Sequence, residues 1–237
     1  MNIMIVRKKL STATVALAAI ALLATDTVHA ATFTEIGDAG ETLSSVQEIP
    51  QGPLTLDSIS GTVLPSNAPN DADLFRIFID GGGSFSATTV GGAAFDTQLF
   101  LFDSNGRGIY TNDDTANPSS SQSTLPANNP LTPTQPGFYY LGISGFNYDP
   151  VSANGEIFPA TPFSAVVGPT GPGGGAPLTN FEGVNDGGSY NITLTGARAV
   201  PEPASTAGIV AFGALSAGLA LKRSRRKRAG GGGEGDH

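Results

Sequence analysis

The sequence contains no cysteine and no tryptophan, and its only histidines are His29 and His237, near the two ends. Without cysteine, no disulfide can stabilise the fold, so a hydrophobic core or a metal ion must hold it. Residues 31–199 lack histidine, lysine and cysteine altogether. This absence excludes Ser–His–Asp and Cys–His catalysis, Schiff-base chemistry and ordinary zinc sites from that segment.

Positive charge is also scarce. Between residues 31 and 200 only Arg76, Arg107 and Arg198 oppose sixteen aspartates and glutamates. Nucleic-acid binding requires lysine or arginine to neutralise phosphates, so nucleic acid is not an expected partner. Cations or a hydrated polysaccharide matrix suit this charge better.

Long helical periodicity is missing, whereas glycine, proline and other turn residues separate short apolar runs. This pattern predicts an all-β sandwich or barrel. Strands are predicted at 54–59, 74–79, 84–90, 97–102, 108–110, 137–143 and 188–195. The inward-facing side chains of two of them are predicted to be Phe75, Ile77 and Ile79, and Tyr190, Ile192 and Leu194. Strand 97–102 is apolar on both faces, which predicts a central position.

Three stretches give weaker predictions. The Asn105-Gly106 pair predicts a tight hairpin turn, and residues 112–135 form a long polar loop. Residues 146–185 are predicted to be mostly irregular, and a loop of that length in a compact domain is often functional. Residues 32–47 show no clear pattern.

The N-terminus has the order of a secretory signal. Arg7, Lys8 and Lys9 precede an apolar stretch at 13–24, and Val28-His29-Ala30 offers small residues before a cleavage point. This order predicts a signal peptide at 1–30 that signal peptidase removes. The body that remains, 31–199, is one domain long enough for its own core.

The C-terminus has three parts. Pro201 and Pro203 end the domain, because neither fits inside a helix or a central strand. Residues 204–221 carry no charge, and eighteen residues of helix span about 27 Å, enough for one membrane crossing. A stop-transfer cluster follows, predicted to stay cytoplasmic: Lys222, Arg223, Arg225, Arg226, Lys227 and Arg228. The glycine-rich end, 229–237, is predicted to be a disordered tail.

Val200-Pro201-Glu202-Pro203, followed by that apolar span and basic cluster, resembles the PEP-CTERM sorting signal of Gram-negative bacteria. The resemblance covers 200–228, with its motif at 200–205. It implies that an exosortase-type enzyme cuts at or near Pro201, Glu202 and Pro203. The protein would pass through an inner-membrane intermediate and then reach the outer surface or an extracellular matrix of polysaccharide. The tail after the basic cluster departs from the usual signal.

The body is similar to the bacterial pre-peptidase C-terminal domain, and closer still to its DVUA-type relatives among PEP-CTERM surface proteins. The resemblance runs from about 54 to 143, with Tyr190 to Leu194 as a last strand. It implies a jelly-roll-like β-sandwich ectodomain that is usually an accessory module of secreted enzymes and binds calcium in some members. The matching stretches are Asp71-Ala72-Asp73-Leu74-Phe75, Phe95 to Gly106, Asn112-Asp113-Asp114 and Pro136 to Leu141.

The carboxylates of the body suggest a calcium site. Calcium takes six to eight oxygen ligands, and loops converge at the ends of a sandwich. Asp71, Asp73, Asp113 and Asp114 are therefore tentative calcium ligands. The alternative is that these residues only form turns, because aspartate and asparagine are common turn residues.

The expected function is that of an exported, non-enzymatic protein of the cell surface or extracellular matrix. One alternative is a calcium-dependent carbohydrate-binding module, for which Tyr139, Tyr140, Phe146 and Tyr148 could stack on sugars unless they belong to the core. A third is a hydrolase with two catalytic carboxylates. Its candidates would be Asp71, Asp73, Asp96, Asp103, Asp113, Asp114 and Asp149, but nothing in their spacing marks an acid/base pair.

Overall fold

The computed structural model describes residues 30–64, 69–116, 118–184 and 186–199, and within these ranges the protein is all-β. In the same ranges no helix is long and apolar enough to cross a membrane. The predicted signal peptide, the sorting motif Pro201–Pro203, the apolar span, the basic cluster and the tail lie outside the described residues.

The strands follow one another closely along the chain. The first eight are β1 (Ala31–Thr34), β2 (Gln47–Glu48), β3 (Leu54–Val63), β4 (Ala72–Ile79), β5 (Ser86–Thr88), β6 (Thr97–Phe102), β7 (Gly108–Asn112) and β8 (Thr115–Ala116). The other eight are β9 (Ser119–Ser120), β10 (Thr124–Leu125), β11 (Gly137–Gly145), β12 (Tyr148–Ser152), β13 (Gly155–Glu156), β14 (Leu178–Gly183), β15 (Gly188–Thr195) and β16 (Ala197–Ala199).

Two layers of strands form the sandwich. The hydrogen-bonded order is β10-β5-β15-β3-β16-β4-β11-β6-β7, and the short strand β16 pairs with both β3 and β4 and so joins the layers. The main core lies between them and includes Ile59 and Ile192 from one layer and Ile77, Leu101 and Ile143 from the other. The predicted β-sandwich is confirmed.

All seven predicted strands are present. Four are longer than predicted, 97–102 and 188–195 have the predicted bounds, and the strand predicted at 84–90 is shortened to β5. The predicted inward faces are also correct, because the main core contains Phe75, Ile77 and Ile79, and Tyr190, Ile192 and Leu194. Strand β6 lies between β11 and β7, and all six of its residues are buried. Alternation of apolar residues was therefore sufficient to find the inward faces of β4 and β15, and the continuous apolar run was sufficient to find the central strand β6.

Residues 146–185 are more ordered than predicted. Strands β12, β13 and β14 form a separate three-stranded sheet. Its apolar side chains build a second core against the outer face of β4 and β6, which contributes Leu74, Phe100 and Phe102. Phe181 packs edge-on against Phe100 with ring centroids 5.8 Å apart. This cover explains why β6 is apolar on both faces.

The N-terminal segment is an integral part of the fold. Strand β1 pairs in parallel with β3, and β2 pairs in parallel with β4. Between them Ala39 is fully buried, and Ile49, just beyond β2, is almost fully buried. The turn that joins β1 to β2 therefore lies against the start of β4, where it contributes acidic side chains.

Candidate functional site

The acidic residues predicted as calcium ligands lie at one end of the sandwich. The strand registers align Asp73 of β4 with Ile143, Leu99 and Asn112 across β11, β6 and β7. Asp71 therefore precedes β4 at the same end where Asp113 and Asp114 follow β7. The loops that carry these aspartates therefore lie at the same end of the sandwich, as predicted.

The four predicted ligands do not form one cluster. Strands β11 and β6 separate β4 from β7, and three steps of about 4.8 Å between neighbouring strands amount to roughly 14 Å. Asp73 groups with Glu35 and Asp38, whereas Asp113 and Asp114 group with Asp96. The expectation that Asp71, Asp73, Asp113 and Asp114 could meet at one ion is thus corrected. Asp73 lies in one group, Asp113 and Asp114 lie in another, and Asp71 is in neither.

We call Glu35, Asp38 and Asp73 the N-terminal acidic group. One carboxylate oxygen from each lies within 4.8 Å of the other two. Asp73 is fully buried. Its Oδ2 accepts a hydrogen bond from the Tyr190 hydroxyl at 2.6 Å, but its Oδ1 has no hydrogen-bond partner among the described residues.

The other members of this group are held by backbone donors. Glu35 accepts from the amides of Ala39 and Thr62 at 3.0 and 2.8 Å. Asp38 accepts from the amide of Gly40 at 2.9 Å. Such bonds fix the carboxylates in place before any ligand binds, which lowers the ordering cost of binding.

Close packing leaves little room beside the group. A Cβ atom at Gly61 of β3 would lie 2.4 Å from Glu35 Oε2 and 2.4 Å from the Tyr190 hydroxyl oxygen. Only glycine permits this approach of β3 to the carboxylates.

The electrostatics of the N-terminal acidic group are unbalanced. Burial, opposed in part by the Tyr190 hydrogen bond, raises the pKa of Asp73 to about 8, and the charges of Glu35, Asp71 and Asp38 add to the rise. Burial also raises the pKa of Asp71, although the amide of Leu64 donates to its Oδ2 at 2.8 Å. Among the described residues both ion pairs are elsewhere, Arg76–Glu48 and Arg198–Asp80. The group carries hard oxygen ligands without a positive partner, which is the chemistry that suits calcium.

The second group consists of Asp96, Asp113 and Asp114, whose carboxylate oxygens also lie within 4.8 Å of one another. Asp113 borders a small cleft, partly open to solvent, that we call the Asp113 cleft. Gln98, Thr111, Asn147 and Asp149 line one side of it. Residues from the 158–167 segment, including Phe158, Pro162 and Phe163, line the other.

The carboxyls of this cleft also have no positive partner in the described part of the chain. Burial raises the pKa of Asp113 to about 7, and repulsion from Asp96, Asp114 and Asp149 adds to it. Burial raises the pKa of Asp149 as well, against the opposing effect of a 3.0 Å hydrogen bond from the Gln98 amide. The Oδ1 atoms of Asp113 and Asp96 are buried without a hydrogen-bond partner in the described part of the chain.

The four aromatic residues considered for sugar stacking do not form one platform. Tyr148 is buried in the second core, and Tyr140 packs against that core. Tyr139 packs against the main core instead. Phe146 is exposed and contacts Phe163 edge-on, with ring centroids 5.6 Å apart. Three of the four aromatic residues therefore belong to or pack against a core, as the alternative to sugar stacking predicts.

Sequence reasoning missed Glu35, Asp38 and the pairing of Asp113 with Asp149 in one cleft. Glu35 and Asp38 lie in the segment without a clear pattern, and Asp149 lies in the segment expected to be irregular. The signal that was available is the Asp38–Gly40 spacing, since aspartate two residues before a glycine is typical of a tight turn.

Comparison with known proteins gives one family. Residues 65–145 match the family model of the bacterial pre-peptidase C-terminal domain. The match covers 81 of the 237 residues, and it includes β4 to β11, with Asp71, Asp73 and the Asp113–Asp114 pair. The chain matches no curated protein. The predicted resemblance of the body to this domain is thereby supported, and the PEP-CTERM resemblance stays a prediction.

Proposed function

We propose that this chain is an exported, non-enzymatic protein of the cell surface or extracellular matrix of a Gram-negative bacterium. Its body is a jelly-roll-like ectodomain between an N-terminal signal helix and a single C-terminal membrane helix. Signal peptidase acts at the first end, and an exosortase-type enzyme acts at Pro201–Pro203. The mature domain then meets matrix polysaccharide.

The match of residues 65–145 to the pre-peptidase C-terminal domain supports the non-enzymatic ectodomain of this proposal. That domain is a β-sandwich module rather than a catalytic one. The predicted signal peptide at 1–30 and the predicted sorting signal at 200–228 support export. The excess of acidic residues in the body suits a hydrated matrix.

Replacement of the sorting motif tests the proposal. We expect Pro201→Ala, Glu202→Ala and Pro203→Ala together to leave the unprocessed chain in the membrane fraction, while the unchanged protein releases a shorter form to the surface. Immunoblots of membrane, surface and medium fractions measure the size and place of each form. A control with Pro172→Ala and Glu156→Ala, both exposed in the ectodomain, should behave as the unchanged protein. Equal processing of the motif variant would contradict the proposal.

A second candidate function is calcium-dependent carbohydrate binding, favoured by the N-terminal acidic group. Three carboxylates converge there, and one of them, Asp73, is fully buried with a free Oδ1. Glu35, Asp38 and Asp73 would hold the ion, which would supply the missing positive charge. The other predicted ligands, Asp113 and Asp114, lie in the second group with Asp96 and would not contact this ion.

Thermal melts of the purified full chain with calcium and with chelator test this candidate. An ion that binds only the folded state raises its stability, so we expect a higher midpoint with calcium that chelator reverses. Glu35→Gln should remove the shift, and the exposed Asp57→Asn should keep it. No shift at millimolar calcium would rule out the metal. If the shift is present, calcium-dependent retention on immobilised matrix polysaccharide tests the carbohydrate part.

A further inference from the structure

The Asp113 cleft has two chemically different sides. The first side comes from β6, β7 and the start of β12, and it includes Gln98, Thr111, Asp113 and Asp149. The second side comes from residues 158–167 and is wholly apolar, with Phe158, Pro162 and Phe163 among its side chains. A ligand that fits both sides must have a polar end and an apolar body.

The polar side offers mainly acceptors. The Gln98 amide nitrogen already donates to Asp149 Oδ1, and the Thr111 hydroxyl already donates to the Leu99 carbonyl at 2.7 Å. Asp113 Oδ1 is buried without a partner among the described residues. The carboxylates of Asp113 and Asp149 and the Thr111 oxygen are therefore left to accept hydrogen bonds from a ligand, and the Asn147 amide on the same side can both donate and accept.

The apolar side is fixed to the strand beneath it. Thr111 and Val167 exchange backbone hydrogen bonds at 2.9 and 3.0 Å, and the Asp114 amide donates to the Phe163 carbonyl at 3.0 Å. These bonds tie the segment to the end of β7, beside Asp113 and Asp114. The cleft is therefore built from elements that are tied together, rather than from one free loop.

No arginine of the described residues supplies the counter-charge. Arg76 pairs with Glu48, Arg198 pairs with Asp80, and the Arg107 guanidinium donates to the Gly175 carbonyl. The residues that interact electrostatically with Asp113 are Asp96, Asp114 and Asp149, all acids. A cation from outside the described residues would balance these carboxylates.

We propose that the Asp113 cleft binds a primary ammonium group on an aliphatic stem, the chemistry of a lysine side chain of a partner protein. An ammonium carries three donors and no acceptor, which matches a site rich in acceptors. Its stem lies against the apolar side, where aromatic faces also attract the cation. A neutral sugar could stack on the apolar side, but it would bring no positive charge to the carboxylates. A metal ion would leave the apolar side unused.

Saturation-transfer NMR on the purified full chain at pH 8 tests the inference, with n-butylammonium as the probe and 1-butanol as its neutral counterpart. We expect a clear response from the amine and at most a weak one from the alcohol. Asp113→Asn should weaken amine binding about tenfold or more, because a charge-assisted bond is lost. Phe163→Ala should weaken it about two- to fivefold. Phe163 is 42% exposed, so this variant should fold normally.

Asp57→Asn is the matched control, because it removes the same charge from an exposed position on β3. An equal loss in this control would show general attraction to an acidic protein and would overturn the inference. So would equal responses from the amine and the alcohol. A larger response from glucosamine than from n-butylammonium would overturn the lysine-like stem in favour of an amino sugar.

This inference extends beyond the proposed function and is tested apart from it. Calcium binding is measured at Glu35, sorting is measured at Pro201–Pro203, and amine binding is measured at Asp113. Failure of one readout therefore leaves the other two standing.

Discussion

The N-terminal acidic group and the Asp113 cleft are both unbalanced acidic sites at one end of the same sandwich, but their surroundings differ. In the first, the carboxylates of Glu35 and Asp38 accept from backbone amides, and Asp73 is fully buried beside Tyr190. In the second, Asp113 faces phenylalanine and proline side chains across a cleft open to solvent. Excess negative charge is therefore not enough to define a ligand.

The difference indicates what each site selects. Backbone-anchored oxygens in a tight space suit a bare ion, which needs many oxygen ligands and no apolar wall. Carboxylates opposite an apolar wall suit an organic cation, which has both a charge and a carbon stem. The following four predictions would break or sharpen this contrast.

The largest expected effect is that of calcium on the N-terminal acidic group. Asp73→Asn should abolish the gain in melting temperature with calcium, whereas Asp113→Asn should preserve it. At a calcium concentration one hundred times Kd, the gain is about 2.7 kcal/mol, or roughly 5–10 °C. Differential scanning calorimetry with and without chelator measures it. The contrast between the two sites fails if Asp113→Asn removes the gain instead.

The second prediction concerns the close approach of β3. Gly61→Ala should lower the free energy of unfolding by about 1–3 kcal/mol, because the new Cβ would overlap Glu35 and the Tyr190 hydroxyl. Gly175→Ala, where a Cβ meets nothing within 4 Å, is the matched control. Urea unfolding measures both. Amine binding in the Asp113 cleft should be unchanged, and a matching loss there would show that the two sites are not independent.

The third prediction is a pH dependence in chelator. The folded-state pKa of Asp73 is about 8, well above its ordinary value of 3.8. The folded state therefore binds this proton more tightly than the unfolded state does. The resulting stability is complete below about pH 4 and is lost as the pH rises through about 8. The melting temperature should thus fall between pH 5 and 9.

Two variants separate the sites in that experiment. Asp73→Asn should remove the decrease in melting temperature that continues up to about pH 8. Asp113→Asn should remove the decrease that is complete near pH 7, since the pKa of Asp113 is about 7. Each asparagine also removes an uncompensated carboxylate, so at pH 8.5 both variants should melt above the unchanged protein. A pH profile that neither variant alters would contradict the assignment.

The smallest expected effect on stability is that of Phe163→Ala. Its side chain is 42% exposed, so the free energy of unfolding should change by no more than about 0.5 kcal/mol. The same variant should still weaken binding of n-butylammonium. A fall of several degrees in melting temperature would show instead that the ring stabilises the fold.

Much of the fold could be predicted from the sequence, because alternation of apolar residues reports directly which face of a strand is buried. The inward face of Phe75, Ile77 and Ile79 and the central position of β6 are both correct. The second core could not be predicted. Its side chains, such as Tyr148 and Phe181, lie far apart in a segment interrupted by proline and glycine, where no period is visible.

The candidate sites divide in the same way. Asp71, Asp73, Asp113 and Asp114 could be placed near strand ends from the sequence, but their distances across the sheet could not. Two strands stand between β4 and β7, and strand order is not written in the local pattern. Asp73 and the Asp113–Asp114 pair therefore lie in two separate groups, each with acidic partners from other segments.

The sequence by itself determined the all-β class, the strand faces and the absence of lysine, histidine and cysteine side chains from the body. Those properties depend on residue type and on neighbours along the chain. Only the tertiary structure decided that Glu35 and Asp38 meet Asp73, and that Asp113 and Asp149 border one cleft. These residues meet because strand pairing and burial of apolar surface bring distant segments together. The positions of the carboxylates follow from that packing and not from the attraction or repulsion between their charges.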